Sequence, residues 1–386
     1  MIEGRDIICI SPGYWDSPWI THQQFMRVLA RKNRVLYVEP PMSYLPFRYP
    51  ERWSKLTAFR HGVRREGDNL WITTCPPAPP LKRSVDLINR ASQRLVLSWT
   101  RRAAVKAGFT DPLLWIYLPT AVELVGKLDE SFVLYHCIDE FEAVPWGRNQ
   151  VIASQEQRML GSADLTVTCS KQVFENKRGA ASEIMNVPNG VDFEHYFRVQ
   201  QKHTPVAPEL GIHDGNQVIG FSGVLDDRLD TELLLRAADR YPRARFVLVG
   251  PARKAFPELE RKENIYLLGN RPVEKLPTYV KGFDVCLIPY VLNDFVRNIS
   301  PTKLFEYLAS GKPVVAPAIR ALDGLRDLVY VGANMDEMLE LIGDALAEDS
   351  PEATERRTEL ARMNTWEQRV DVISEKIMEL ERSSNR

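Results

Sequence analysis

The sequence predicts an α/β protein built from two parallel-sheet domains, and three observations carry that expectation. At 386 residues the chain is too long for one hydrophobic core and comfortable for two. Short β-rich runs alternate with longer stretches of helical spacing, which implies βαβ units. The alternation breaks once, in a polar stretch, and then restarts.

In the first half the β-rich runs are Asp6–Ile10, Arg34–Val38, Leu70–Thr73, Leu113–Tyr117, Phe132–His136 and Leu165–Cys169. Helical spacing fills Thr21–Lys32 and Asn149–Ser162 between them. After Val187-Pro188-Asn189-Gly190-Val191-Asp192 the pattern degrades. From about Glu194 to Asn216 the chain is polar, with Pro205, Pro208 and Gly211, and reads as a linker. The rhythm resumes at Val218–Phe221, then Arg245–Val249, Ile265–Leu268, Val285–Ile288, Val314–Ala316 and Val329–Val331. Trp366, Val370, Ile373, Ile377 and Leu380 are spaced as one face of a last helix. The expected division is therefore 1–195, a linker 196–216, 217–364, and a closing helix 365–386. Open parallel sheets bind ligands beyond the carboxyl ends of their strands, so a cleft faced by two such sheets is the expected site.

Composition narrows the class. Hydrophobic residues make up 44% and charged residues 26%, with 21 Gly and 26 Pro, which excludes disordered, collagen-like and disulfide-rich chains. A formal net charge of −1 gives no reason to expect nucleic acid as a partner. Cys9, Cys75, Cys137, Cys169 and Cys286 are odd in number and never form a Cys-x-x-Cys pair. Free thiols in a reducing compartment, with no zinc site, are the simplest expectation. The start, Met-Ile-Glu-Gly-Arg-Asp, runs directly into Ile7-Ile8-Cys9-Ile10, wrongly flanked for a signal peptide. No run approaches the roughly 18 apolar residues of a membrane span. A cytoplasmic protein is expected, either soluble or held at the inner membrane surface.

The most informative stretch is Asn298-Ile299-Ser300-Pro301-Thr302-Lys303-Leu304-Phe305-Glu306-Tyr307, continuing to Gly311-Lys312-Pro313-Val314-Val315. Ser300 reads as a capping hydroxyl and Pro301 as the first helical residue; Gly311 and Pro313 end the helix. Free amides of the first turn, including those of Thr302 and Lys303, would form an anion site reinforced by the helix dipole. Lys303 adds a mobile charge there, and Glu306 lies one turn deeper on the same face. Such an arrangement suits a diphosphate at the helix tip and a ribose diol on the carboxylate. An amphipathic helix with a solvated Lys/Glu pair is the plainer alternative.

This segment resembles the donor-binding signature of the nucleotide-sugar-dependent glycosyltransferases of GT-B fold, group 1, and the Asn…Ser-Pro-Thr-Lys…Glu-Tyr variant resembles members from bacterial cell-surface polysaccharide synthesis. In the resemblance Glu306 takes the place of the ribose-binding glutamate. Asn298 replaces the glutamate that touches sugar hydroxyls. Ser11-Pro12-Gly13-Tyr14-Trp15-Asp16, with Trp19, His22 and Gln23, matches the family's first glycine-bearing loop, near the donor phosphates and acceptor. His136 matches a strand-end histidine that contacts the donor sugar. Phe221-Ser222-Gly223 opens the second domain, with Arg228 near a phosphate-binding Arg/Lys pair. Gly250 and Gly269-Asn270-Arg271-Pro272 match the strand ends around the base, and the Trp366 helix matches a final helix that crosses back to the first domain. The resemblance implies a UDP-, GDP- or TDP-sugar donor, no metal, and catalytic roles for His136, Lys303, Asp16 and Asn298. It places Gly13, Gly223, Arg228, Gly250, Arg271, Ser300, Thr302, Lys303 and Glu306 around the donor.

Plainer alternatives stand beside several of these residues. His136 could be a strand-end histidine satisfied by backbone, His22 a solvated helix residue, and Asp16 a loop cap. Asp139 and Glu140 read as solvated acids. Asp226-Asp227-Arg228-Leu229-Asp230 could suggest a metal cluster, but helix amides and basic side chains do the neutralising in this fold. Residues 42–106 carry 13 Lys/Arg against four acids, with Phe47, Tyr49, Trp53, Phe59 and Trp99 interleaved. That composition suits an anionic bilayer surface, and a solvated basic face is its alternative. The expected reaction is transfer of a sugar to a hydroxyl of a saccharide or lipid-linked acceptor, with retention implied by the resemblance. A sugar-nucleotide epimerase of the same architecture, or a binding module that has lost catalysis, are the other readings.

Overall fold

The structure, a computed structural model, describes residues 1–17, 19–42, 55–79, 85–141, 150–211, 215–348 and 350–384. The chain forms two compact units, Met1–Pro188 with Trp366–Arg386, and Asn189–Thr365.

The first unit contains β1 (Asp6–Ile10), α1 (Thr21–Leu29), β2 (Arg34–Glu39), α2 (Lys55–Ala58), β3 (Val63–Arg65), β4 (Leu70–Thr74), α3 (Asp86–Ala107), β5 (Leu113–Ile116), β6 (Phe132–Cys137), α4 (Gln150–Ser162), β7 (Leu165–Thr168), α5 (Lys171–Lys177) and β8 (Ile184–Asn186). Its strands make one sheet in the order β3-β4-β2-β1-β5-β6-β7-β8. All pairings are parallel except β3 with β4. The two-residue side-chain period of a strand sends alternate residues to opposite faces. Ile7 and Cys9 therefore join one buried cluster while Ile8 and Ile10 join the other. On β6 the same parity groups Phe132, Leu134 and His136 on one face, against Val133, Tyr135 and Cys137.

The second unit contains α6 (Phe193–Phe197), β9 (Val218–Ser222), α7 (Thr231–Arg240), β10 (Arg245–Val249), α8 (Pro257–Glu260), β11 (Ile265–Gly269), α9 (Leu276–Lys281), β12 (Val285–Leu287), α10 (Asp294–Arg297), α11 (Thr302–Ala309), β13 (Val314–Pro317), β14 (Tyr330–Gly332), α12 (Met335–Leu346) and α13 (Pro351–Arg362). Six parallel strands run in the order β11-β10-β9-β12-β13-β14. The third-second-first-fourth-fifth-sixth order is that of a doubly wound dinucleotide-type sheet. The chain then returns to the first unit as α14 (Trp366–Ser384), where Trp366, Val370, Ile373 and Ile377 are buried in the cluster that also holds Phe25 of α1.

Two expectations need correction. The stretch 196–216 is not a linker: Val199, Ala207 and Leu210 are buried in the core of the second unit, and the chain changes units at Pro188. Its polar composition hid three anchors delivered by short 3-10 turns, which have no helical or strand period. The helix near residue 300 starts one residue late. Pro301 is extended, with φ −72° and ψ 120°, and is the cap residue; Ser300 precedes it and no side chain caps the first turn. All five cysteines are buried and free. Among the described residues, no helix is long and apolar enough to cross a membrane.

Candidate functional site

In the second unit the parallel sheet brings the carboxyl ends of β9, β10 and β12 to one edge, and the helices that follow these strands begin there. Two glycines let the backbone close up at this edge. The Gly223 amide donates to the Val249 carbonyl at 2.8 Å and the Gly250 amide to the Gly269 carbonyl at 2.9 Å. Gly250 has φ +147°, and a Cβ there would lie 1.8 Å from the Gly223 carbonyl oxygen. Only glycine fits.

Helix α11 begins at the same edge. The hydroxyl of the fully buried Tyr307 accepts the Ser222 amide at 2.8 Å, which ties this helix to the end of β9. The first amides of any α-helix lack intrahelical acceptors, so those of Thr302 and Lys303 define an electropositive tip. Lys303 donates to Glu306 at 2.7 Å, one turn on, and both side chains are largely buried. Glu306 also accepts a hydrogen bond from the buried Tyr196 hydroxyl, and burial followed by the Glu306 charge pushes that phenol's pKa well up. Glu306 thus lies between a phenol and an ammonium.

Arg228 supplies a second cation. It forks onto Asp226 at 2.9 and 2.8 Å and lies over the Tyr290 ring, 5.4 Å from its centroid. Burial works to raise the Asp226 carboxyl, but the hydrogen bonds and charge of Arg228 outweigh it and hold the pKa below the ordinary value. The Tyr290 hydroxyl, itself pushed up by burial, lies within the fields of Arg228, Asp226 and Glu306. Gly223, Gly250, Arg228, Lys303 and Glu306 therefore belong to one neighbourhood. Tyr196, Tyr290 and Tyr307 complete it; the sequence includes Tyr307 in its signature without giving it a role, and marks neither of the other two. Tyr290 sits just beyond a strand end and could have been singled out; Tyr196 lies 110 positions from Glu306 with no local signal.

The remaining expected residues are more peripheral. Arg271, beyond the end of β11, donates to the Tyr279 hydroxyl at 2.7 Å and to the Asn270 carbonyl. Asn298 caps α10, its side-chain amide donating to the Asp294 carbonyl at 2.7 Å. The Ser300 carbonyl accepts from Asn189 at 2.7 Å, which fixes the approach to α11.

In the first unit, the Gly13 carbonyl accepts from the Ser11 and Tyr37 hydroxyls at 2.6 and 3.0 Å, and Tyr37 lies 2.6 Å from His22 Nδ1. His22 packs on Tyr117, which stacks on His136 with centroids 5.0 Å apart. Both histidines are buried, so neither is the solvated or backbone-satisfied residue that the plainer alternatives envisage; among the described residues, neither His136 ring nitrogen has a hydrogen-bond partner. Burial pushes the pKa of each ring down to about 3, with His22 adding to the effect on His136. His136 is enclosed by Phe25, Trp115 and Tyr117. With no exposed surface it cannot touch a sugar in this conformation, because strand parity turns it into the helix-covered face. Asp16 is half exposed and paired with Arg64 at 3.1 Å.

The basic segment is described in part; Arg48, Arg52, Lys82, Arg83, Phe47, Tyr49 and Trp53 lie outside the described residues. Phe59 and Trp99 pack on each other, and Trp99 donates to Thr73 at 2.9 Å, so these two aromatics face inward. The outer face of α3 instead shows Arg94, Arg102 and Lys106 beside the exposed aliphatics Leu87 and Val105.

Residues 216–348 match the family of glycosyl transferases group 1. The chain is 28% identical over 276 residues to a Bacillus subtilis (strain 168) protein that carries the name teichuronic acid biosynthesis glycosyltransferase TuaH, covering 66% of this chain and 68% of that one. Its fold is similar to that of an α,α-trehalose-phosphate synthase (UDP-forming) from Burkholderia vietnamiensis, with TM-score 0.71, 14% identity, and coverage of 100% and 99%. It is also similar to Anabaena Alr3699/HepE in complex with UDP and glucose, with TM-score 0.64, 15% identity, and coverage of 97% and 100%. Residues 216–348 thus match a group 1 glycosyl transferase domain, in a chain of GT-B fold.

Proposed function

We propose that this glycosyltransferase moves a sugar from a nucleoside-diphosphate sugar to a hydroxyl of a saccharide or lipid-linked acceptor, with retention, in cell-surface polysaccharide synthesis. The observation that carries this reading is the tip of α11, where free amides, Lys303 and the oriented carboxylate of Glu306 stand beside the glycine-lined strand ends. Breaking the anomeric C–O bond leaves charge on the departing diphosphate. Preorganised helix amides with Lys303 and Arg228 would stabilise that charge without a metal. Glu306 would accept hydrogen bonds from the ribose diol, and Gly250 and Arg271 would border the base. On binding, Lys303 would exchange its Glu306 partner for the diphosphate, while Glu306 would keep the Tyr196 hydroxyl and gain those of the ribose.

The name of the Bacillus subtilis relative supports the polymer class, and the UDP complex of the Anabaena protein supports the donor class. The basic outer face of α3 supports attachment at the cytoplasmic membrane surface, where a lipid-linked acceptor would be presented.

Calorimetry with UDP-, GDP- and TDP-sugars, followed by mass spectrometry of products with candidate acceptors, tests the reading. One nucleotide class should bind, and Lys303→Ala should weaken it by roughly ten- to a hundredfold, the loss of a charge-assisted contact. Failure of every nucleoside diphosphate to bind would sink it.

A further inference from the structure

A cavity of about 420 Å³ lies at the amino-terminal edge of the six-stranded sheet, the edge opposite the carboxyl ends. Gln217, Asp284 and Lys312 line it, each just before a strand, together with Lys281 and Gln200. Its charges are uneven. Glu348, also on the wall, is taken up by Arg357 and the Tyr330 hydroxyl. Lys281 spends two donors on the Val199 and Gln201 carbonyls, at 2.6 and 3.1 Å. Asp284 accepts the Val218 amide at 2.7 Å. Lys312 is half-buried, and among the described residues no ion pair or hydrogen bond reaches its ammonium. Among the described residues, two ammonium groups thus face one available carboxylate.

We propose that this cavity binds a small anion of the phosphomonoester class, with Lys312 as its principal contact. A half-buried ammonium with no anionic partner is costly, and a bound anion offsets that cost. Burial, with the nearby Lys281 charge, already holds the Lys312 amine below the ordinary lysine value, against the opposing pull of Cys286 and Asp284. Lysines suit phosphate as mobile point charges. The volume falls within the usual small-molecule range of about 300–1,000 Å³, so it has room for the body that carries the phosphate.

The site is separate from the nucleotide site and does not depend on that reading. Helix α11 has eight residues, about 12 Å of axial length, with Lys303 in its first turn and Ser310–Lys312 beyond its last. An anion at Lys312 is therefore not the donor diphosphate.

Competitive acetylation of the full chain, read by mass spectrometry with inorganic phosphate as the probe, tests the proposal at matched ionic strength against chloride. Phosphate several times above its Kd should slow acetylation of Lys312 by about fivefold, as single-site occupancy requires, while the exposed Lys202 keeps its rate. The protection should persist in Lys303→Ala. Phosphate should also raise the Tm of the wild type, and Lys312→Gln should lose the part of that rise that Lys303→Ala retains. Equal acetylation of Lys312 with and without phosphate, or protection that disappears in Lys303→Ala, overturns the proposal.

Discussion

Three residues carry consequences specific enough to measure. Gly250 holds φ +147° with the Gly223 carbonyl where a Cβ would lie. Gly250→Ala should therefore push the ends of β9 and β10 apart and cost more than the ordinary 0.5–3 kcal/mol of a single substitution, roughly 3 kcal/mol or above. Chemical denaturation should show that loss together with weakened nucleotide binding; a variant of wild-type stability would mean the glycine contact is not needed. His22 and His136 make a pH prediction. Both are held near 3 in the folded unit, against about 6.5 when unfolded. Their folded values are depressed, so the unfolded chain takes up protons first as pH falls below 6.5. Their contribution is complete above that pH and is lost progressively toward 3. At pH 5.5 each should cost about 1.2 kcal/mol of stability relative to pH 7. His136→Phe should lose about that much less between pH 7 and 5.5, and identical pH slopes for variant and wild type would refute the assignment.

At the scale of elements, α14 matters most. Four of its side chains, Trp366, Val370, Ile373 and Ile377, are almost fully buried. Burial of each contributes roughly 1.5–3 kcal/mol, and the sum is comparable to the whole stability of a typical domain. A chain ending at residue 364 should lose the protease resistance of residues 1–188 while 189–364 remains resistant. Uniform resistance across the truncated chain would show that α14 is dispensable. Most strands were legible in the sequence to within a residue or two, because Val, Ile, Leu and Phe crowd runs too short for helices. The start of α11 was misread by one residue, since Ser-Pro satisfies the rule for a capped helix while Pro301 remains extended. The stretch 196–216 was misread more seriously. Val199, Ala207 and Leu210 reach the core through two short turns, and no periodicity announces them.

For the whole molecule, the sequence made the two-sheet plan plain and only part of the site. Local motifs such as Thr302–Glu306 are legible because helix geometry places neighbours three residues apart on one face. Contacts made by folding are not: Tyr196 with Glu306, Ser222 with Tyr307, and Gly223 with Gly250 join residues distant in sequence, and only the parallel sheet brings them together. His136 shows the converse, since its position at a strand end was visible but the face it occupies depends on register against the neighbouring strands. In the proposed reading the nucleotide diphosphate rests on α11 and the glycine-lined strand ends of the second unit. Hydrogen exchange of the full chain with and without the nucleoside diphosphate that binds it tests this directly. Exchange should slow chiefly in 222–228, 249–251 and 301–306. Protection confined to other segments, with these three unchanged, would contradict that reading.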